Sequence, residues 1–268
     1  MDNLRLGLKL FTNQLNIYKD KTIELWEKKC FSYIEVFVIP NQIEYLHQWE
    51  IFKSRYNIPF TIHAPQFSEG VNLSQKEFEF ENKRVYSQVK DYKNALDAMY
   101  IVAHCGMGGT LEETVRQLNN IDLPVNVENI PYCSRRHPQM YCQGSKVEEI
   151  EFVQKNSSCG FCLDVGHAFC SAVYLGFNPY EYMRKFNDLN PDCYHLSDGK
   201  ISDKFDIHLN ISKGDYDWQR IMDIIHPDKN MTLETILKSS ESVDVINNFE
   251  QDTIYLQRFS KNILKCVS

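Results

Sequence analysis

The sequence predicts an α/β protein built as a single (β/α)8 TIM barrel, residues 1–268 forming one domain with the functional site at the C-terminal ends of the strands. Three observations lead there. Apolar, β-branched runs alternate with helix-like polar segments from end to end, the pattern of repeated strand-then-helix units. Eight such units fill about 250 residues, the usual size of such a barrel. Histidines and acids close one strand-like run after another, where barrels of this kind carry their chemistry. A doubly wound open sheet is the main alternative, yet no glycine-rich phosphate loop follows the first run. No linker, low-complexity run or internal repeat divides the chain.

Each element has a local reason. Residues 4–10 alternate apolar with Arg5, Gly7 and Lys9, and residues 33–38 are mostly aromatic and β-branched. Residues 41–55 carry helical spacing before a third strand at 60–63. A helix over 74–96 leads to a strand at 100–104, and a helix over 110–119 to one at 124–128. In that fifth strand Val125 and Val127 share one face and Asn126 and Glu128 the other, which turns Glu128 into the barrel. A lone carboxylate there would be costly without a cation. Helical spacing at 146–155 precedes a strand at 160–164. Residues 180–186 then precede a strand at 193–196, and residues 218–225 precede the last at 231–234. A final helix is expected over 240–264.

Composition limits the function. With 36 acidic and 29 basic residues the formal charge is −7, which disfavours nucleic acid because phosphate contacts dominate that affinity. Part of that acidity belongs to candidate ligands that a cation would neutralise. No stretch approaches the roughly 18–20 apolar residues of a membrane span. Residues 1–5 run straight into the first strand and resemble no signal peptide, so the expectation is a soluble, cytoplasmic protein without a membrane partner. The nine cysteines are then expected as reduced thiols, including the pair in Cys159-Gly160-Phe161-Cys162.

The site candidates lie in Ile62-His63-Ala64-Pro65, Ala103-His104-Cys105-Gly106, Val127-Glu128-Asn129, Asp164-Val165-Gly166-His167, Tyr194-His195-Leu196-Ser197-Asp198, Asp206-Ile207-His208 and Leu233-Glu234-Thr235. Imidazoles and carboxylates are ligands for zinc, manganese and iron. His63, His104, Glu128, Asp164, His195 and Glu234 close strands three to eight, while His167, Asp206 and His208 lie just beyond strands six and seven. Singly, each has a plainer reading: a hydrogen-bonded core histidine, a solvated loop acid, a surface turn. At one end of one barrel, the nine together read as a metal site. Gly166 is expected to let the chain turn between Asp164 and His167, and an extended segment would let Asp206 and His208 face one ion. His47 and His226 fall outside the pattern and read as structural. Arg135, Arg136 and His137, with Lys200, Lys204 and Lys213, are candidates for a basic rim toward an anionic substrate, or for solvated loops. Lys9, closing the first strand, is a further candidate for an anionic group.

The motifs His-Ala-Pro, His-x-Gly, Glu-Asn, Cys-x-Asp-x-x-His-Ala-Phe, His-Leu-x-Asp, Asp-x-His and Leu-Glu-Thr occur in the order seen in the endonuclease IV family of the xylose isomerase-like barrel superfamily, which residues 60–235 resemble. The segment 161–169 is the nearest match. The resemblance implies up to three divalent ions, zinc first, with manganese or iron as alternatives. His63, His104 and Glu128 would hold one. Glu128 would bridge to a second held by Asp164, His195 and Glu234. His167, Asp206 and His208 would hold the third. It also implies phosphodiester cleavage beside abasic sites, chemistry that suits a multinuclear cluster. The chain departs from that family in two places. Gln66-Phe67 replaces Tyr-Leu after His-Ala-Pro, leaving Phe67 as the one candidate wedge. The loop after the second strand, Ile39-Pro40-Asn41-Gln42-Ile43-Glu44, lacks an arginine.

The segment 194–218 is also similar to a stretch of predicted sugar-phosphate isomerases of the same superfamily. That reading implies one ion on Glu128, Asp164, His195 and Glu234, with Glu128 and Glu234 as the catalytic pair moving a proton beside a carbonyl. The sequence thus predicts a metal-dependent phosphoester or phosphodiester hydrolase, with a sugar or sugar-phosphate isomerase or epimerase as alternative. The expected substrate is a small phosphorylated or sugar-containing molecule. A non-catalytic binding barrel and a multi-iron oxidative enzyme are the remaining readings.

Overall fold

The computed structural model describes residues 4–235 and 243–263. Eight parallel strands close into a barrel in sequence order: β1 (Arg5–Phe11), β2 (Tyr33–Phe37), β3 (Phe60–His63), β4 (Ile101–His104), β5 (Val125–Glu128), β6 (Gly160–Asp164), β7 (Cys193–Leu196) and β8 (Asn230–Leu233). The helices are α1 (Leu15–Glu27), α2 (Leu46–Tyr56), α3 (Glu79–Leu96), α4 (Leu111–Leu118), α5 (Val147–Asn156), α6 (Val165–Leu175), α7 (Pro179–Asn187), α8 (Trp218–Met222) and α9 (Val243–Ile263). No described helix is long and apolar enough to cross a membrane. The eight described cysteines are free thiols, Cys159 and Cys162 among them.

All eight expected strands form, with ends displaced by at most one residue, because backbone pairing rather than hydrophobicity decides where a strand stops. Glu234 lies one residue past β8, yet its N–H still donates to Leu196 O at 2.9 Å, so it stays in the ladder. The helices expected from 41 and 74 start later, after short 3-10 turns at Ile43–Tyr45 and Lys76–Phe78. α6 shows little helical patterning because nearly all of its early residues are buried, leaving no polar stripe to mark the period.

The strand pleat sorts side chains into two sets. Leu6, Leu8, Ile34, Val36 and Ile62 face outward and join the helices in the main core. The opposite parity fills the barrel with polar groups. Lys9 is level with Glu35, Glu35 with Thr61, and His195 with Thr232. Lower down, Val102, Cys162 and Cys193 form a small apolar plug against Tyr100. Gly7 is required in this layer, since the Tyr33 ring lies 2.3 Å from where a Cβ would stand.

A buried acid also sits on the helical layer outside the barrel. Asp252 of α9 is 2% exposed and accepts a 2.8 Å hydrogen bond from Asn210 Nδ2, anchoring the loop after β7. Burial pushes its carboxyl up to about 7, against the pull of Asn210 and Thr235. The unfolded chain therefore releases this proton first. Stability present below about pH 4 is lost as pH rises through about 7. Asp252→Asn is expected to flatten that part of the Tm–pH profile and to raise Tm at pH 8 by several degrees. Parallel profiles for the two proteins would contradict this.

Candidate metal centre

Glu128 organises the mouth of the barrel. It is fully buried at the end of β5, and its two oxygens face different partners. Oε2 lies 3.1 Å from His63 Nε2 and 3.0 Å from His104 Nε2. Oε1 lies 3.2 Å from His167 Nδ1 and 3.3 Å from His195 Nδ1. A carboxylate divided in this way is placed to bridge two positions.

Around it, ligand-type atoms converge in three groups, each within 4.8 Å: His63, Glu128, His195 and Glu234; Glu128, Asp164 and His167; and His167, Asp206 and His208. Glu234 Oε1 is 2.7 Å from His195 Nδ1. His104 meets the cluster through Glu128 and stands edge-on to His63, ring centres 5.4 Å apart. His167 Nε2 is 3.5 Å from Asp206 Oδ2, which also contacts His208 Nε2. The nine side chains expected from the sequence are thus gathered at one end of the barrel. His47 and His226 lie elsewhere, beside Glu50 and Asn187.

Two local expectations are corrected. Gly166 makes no turn between Asp164 and His167. Asp164 is instead the N-cap of α6, its side chain accepting from His167 N at 2.6 Å, so helix geometry brings the two together. Asp206 and His208 do not lie on an extended segment either. His208 has φ +46°, and Asp206 Oδ1 accepts from its N–H at 3.3 Å, so a tight turn pairs them. Asp198 holds that loop from beneath, accepting from Ser212 N at 2.8 Å and Trp218 Nε1 at 2.9 Å.

Backbone and side-chain acceptors set the rings. His63 Nδ1 donates to Ala64 O at 2.7 Å, leaving Nε2 toward Glu128. His167 Nδ1 donates to Asn129 O at 2.9 Å, and the Asn129 side chain clamps the Asp164 backbone through bonds of 2.8 and 2.9 Å. This is the usual way a protein fixes metal-binding imidazoles. One acid of the site escaped the sequence reading. Glu35, fully buried on β2, reaches across the barrel to His195 Nε2 at 3.1 Å. Its signal was a lone charge amid Tyr33, Ile34, Val36 and Phe37.

The electrostatics are those of a place built around positive charge. Burial, with Glu128, Glu234 and Asp206 adding repulsion against the pull of His167, pushes the Asp164 carboxyl up to about 7. Burial works against a charged His208, but Asp206 outweighs it and raises that imidazole to about 9. Buried Glu128 Oε1, Asp164 Oδ2, His195 Nδ1 and His208 Nε2 make no well-directed hydrogen bond. Four ligand-type atoms at one mouth without a well-directed hydrogen bond, all carboxylate oxygen or imidazole nitrogen, fit divalent metal.

The candidate substrate contacts are dispersed. Lys9 is 5% exposed and lies inside the site, its ammonium on Glu234 Oε1 and 3.8 Å from Glu35 Oε1. Phe67 is half-buried against Met107, Ile130 and Cys142 and edge-on to His137 at 5.1 Å. Arg135 is exposed at 3.8 Å from Asp203 and stacks over Phe205, linking the loops after β5 and β7. Arg136, Lys200, Lys204 and Lys213 are exposed, with Lys200 3.8 Å from Asp215.

Neither a family model nor a curated protein matches the chain. Solved structures do. The TTHB071 protein from Thermus thermophilus, soaked with ZnCl2, aligns with TM-score 0.62 at 18% identity, over 93% of this chain and 98% of that one. L-ribulose 3-epimerase aligns with TM-score 0.70 at 11% identity, over 99% and 98%. A candidate xylose isomerase from Rhodospirillum rubrum aligns with TM-score 0.73 at 12% identity, over 95% and 99%. The chain shares the fold of the xylose isomerase-like (β/α)8 barrels.

Proposed function

We propose that this protein is a divalent-metal-dependent phosphoester or phosphodiester hydrolase with a trinuclear site. The observation that carries the reading is the third group, His167, Asp206 and His208, joined to the rest through Glu128. An enzyme working with one ion has no need of it. His63, His104 and Glu128 would hold one ion, Glu128, Asp164, His195 and Glu234 a second, and His167, Asp206 and His208 a third. Such ions supply an activated water at neutral pH and charge neutralisation on phosphoryl oxygens. The chain's own part is to fix the ligand rings through Ala64 and Asn129. Its buried carboxylates also repel an anion unless they are neutralised, so substrate binding should depend on loading. The exposed Arg135, Arg136, Lys204 and Lys213 suit a small phosphorylated substrate better than a duplex, in keeping with the net charge of −7.

A second reading, a sugar or sugar-phosphate isomerase or epimerase, is favoured by the names of two structural neighbours, L-ribulose 3-epimerase and the candidate xylose isomerase. Glu128 and Glu234 flank His195 Nδ1 at 3.3 and 2.7 Å, close enough to act on one substrate.

Elemental analysis of the purified protein, paired with assays on phosphodiesters and on ketoses in deuterated solvent, separates the two. The hydrolase reading expects close to three ions per chain and hydrolysis that a chelator abolishes and zinc or manganese restores. Hydrolysis that survives complete metal removal would sink it. One ion per chain with deuterium entering a carbon-bound position would establish the second reading instead.

A further inference from the structure

A charged layer lies beneath the ligands, and nothing in the reaction chemistry requires it. Glu35 is fully buried in the barrel, a costly position for a charge unless it is paired and hydrogen-bonded. It is both. Lys9 Nζ lies 3.8 Å from Oε1, while Oε2 accepts from Thr232 Oγ1 at 3.2 Å and faces Thr61 Oγ1 at 3.4 Å. The remaining contact of Oε2 is His195 Nε2, at 3.1 Å.

The direction of these bonds follows from chemistry alone. An ionised carboxylate only accepts, so the Thr232 hydroxyl must give its proton to Glu35. Tyr33 Oη, 2.8 Å from Thr232 Oγ1, must then donate to it. Glu35 therefore receives hydrogen at each contact, and His195 Nε2 must carry one. By the same rule Nδ1, 2.7 Å from Glu234 Oε1, carries a second proton while no cation is present. A cation taken there would displace that proton and meet the Nδ1 lone pair, with the Nε2 proton kept by Glu35.

We infer that Glu35 is a positioning residue that holds the proton on His195 Nε2 and so makes Nδ1 the ring nitrogen presented to the metal centre. The claim about the proton stands on the barrel's hydrogen bonds. Its consequence for metal rests on the proposed function.

Glu35 selects among ligand geometries that the sequence leaves open. His63 and His104 point Nε2 at Glu128, whereas His195 points Nδ1. The ring centres of His63 and His195 lie 5.6 Å apart in a stacked arrangement, and the tautomer with its proton on Nδ1 would carry that proton into the space between Glu128 and Glu234. The Lys9 ammonium, in contact with Glu234 and near Glu35, offsets both charges from below. The layer is tight: Tyr33 occupies the space that Gly7 leaves open.

The test is NMR on protein labelled with 15N at histidine, metal-free and metal-loaded, with metal content measured on the same samples. In the wild type, His195 should give an exchange-protected, downfield Nε2–H cross-peak in both states. Glu35→Leu should lose it and bind the ion at Glu128, Asp164, His195 and Glu234 about 10–100-fold more weakly. The His167, Asp206 and His208 position should be unchanged. Glu35→Gln keeps an accepting carbonyl, so the cross-peak should survive, shifted upfield, with most of the affinity. That variant also serves if Glu35→Leu does not fold.

A metal-loaded wild-type His195 with its proton on Nδ1 in place of Nε2, or a cross-peak indifferent to Glu35→Leu and Glu35→Gln alike, would overturn the inference. A chain that binds no ion yet shows the Glu35-dependent cross-peak would remove the metal reading and leave the proton assignment standing.

Discussion

Glu128→Gln is expected to abolish measurable hydrolysis and to lower bound metal by at least one ion per chain. The side chains are nearly the same size, so the change acts through charge and through the loss of one carboxylate oxygen. That oxygen matters because Glu128 is the residue shared between the two halves of the site, with Oε2 toward His63 and His104 and Oε1 toward His167 and His195. An amide keeps one oxygen and puts an NH2 in place of the other, setting a donor against imidazoles that must themselves donate or bind metal. Removing one preorganised electrostatic partner costs an enzyme about 10²–10³ in turnover. Loss of a bridging ligand should cost at least that. Elemental analysis and single-turnover assays at saturating metal check both parts. Full metal content with less than a tenfold rate loss would show that Glu128 bridges nothing.

The reach of the sequence can be seen residue by residue. The inward turn of Glu128 was legible because Val125 and Val127 fix the strand's parity, and parity is a local property. The gathering of His63, His104, His195 and Glu234 was legible because they close strands, and a closed parallel barrel brings strand ends together whatever the loops do. The turn at Asp206 and His208 was not, because a residue two positions on can be reached by an extended or a left-handed backbone. Only the fold chooses, here with φ +46° at His208. The Asp164 and His167 spacing contained its own answer, since an acid three residues ahead of a helical histidine is a capping pattern. The glycine between them masks it by offering a turn instead.

Lys9 and Glu35 mark a different limit. Each stands in an apolar strand, where a charge must face inward or be paid for; Lys9 was read that way and Glu35 was passed over. What the sequence withheld was the partner. Glu35 meets a histidine 160 positions away and Lys9 an acid 225 away, pairings that exist only once β1, β2, β7 and β8 lie around one axis. The sequence therefore points Lys9 toward an outside anion, while the fold sets it against Glu234. Long-range pairs of this kind carry no periodicity, and their energy is written in no local pattern.

The second large effect is expected at the third group. His208→Asn should lower bound metal by one ion and cut hydrolysis by about 10²–10³, leaving the ions around Glu128 in place. Asparagine suits the test because it tolerates the left-handed backbone that His208 adopts, so the turn with Asp206 can persist. The loop has further support from Asp198, which grips Ser212 and Trp218, and from the paired backbone bonds of Asp198 and Leu209 at 2.8 Å. A loss of activity can then be assigned to the missing imidazole and not to a collapsed loop, which circular dichroism and Tm would verify. The variant also divides the two readings of the site. Hydrolysis by a trinuclear centre needs this position. Proton transfer between a Glu128–Glu234 pair does not, because those carboxylates meet at His195 Nδ1 through their Oε1 atoms, while His208 Nε2 stands 3.9 Å from Glu234 Oε2. Solvent deuterium exchange into a sugar that persists in His208→Asn, with the metal count unchanged, would decide for the isomerase. Parallel loss of one ion and of phosphodiester cleavage would decide for the hydrolase.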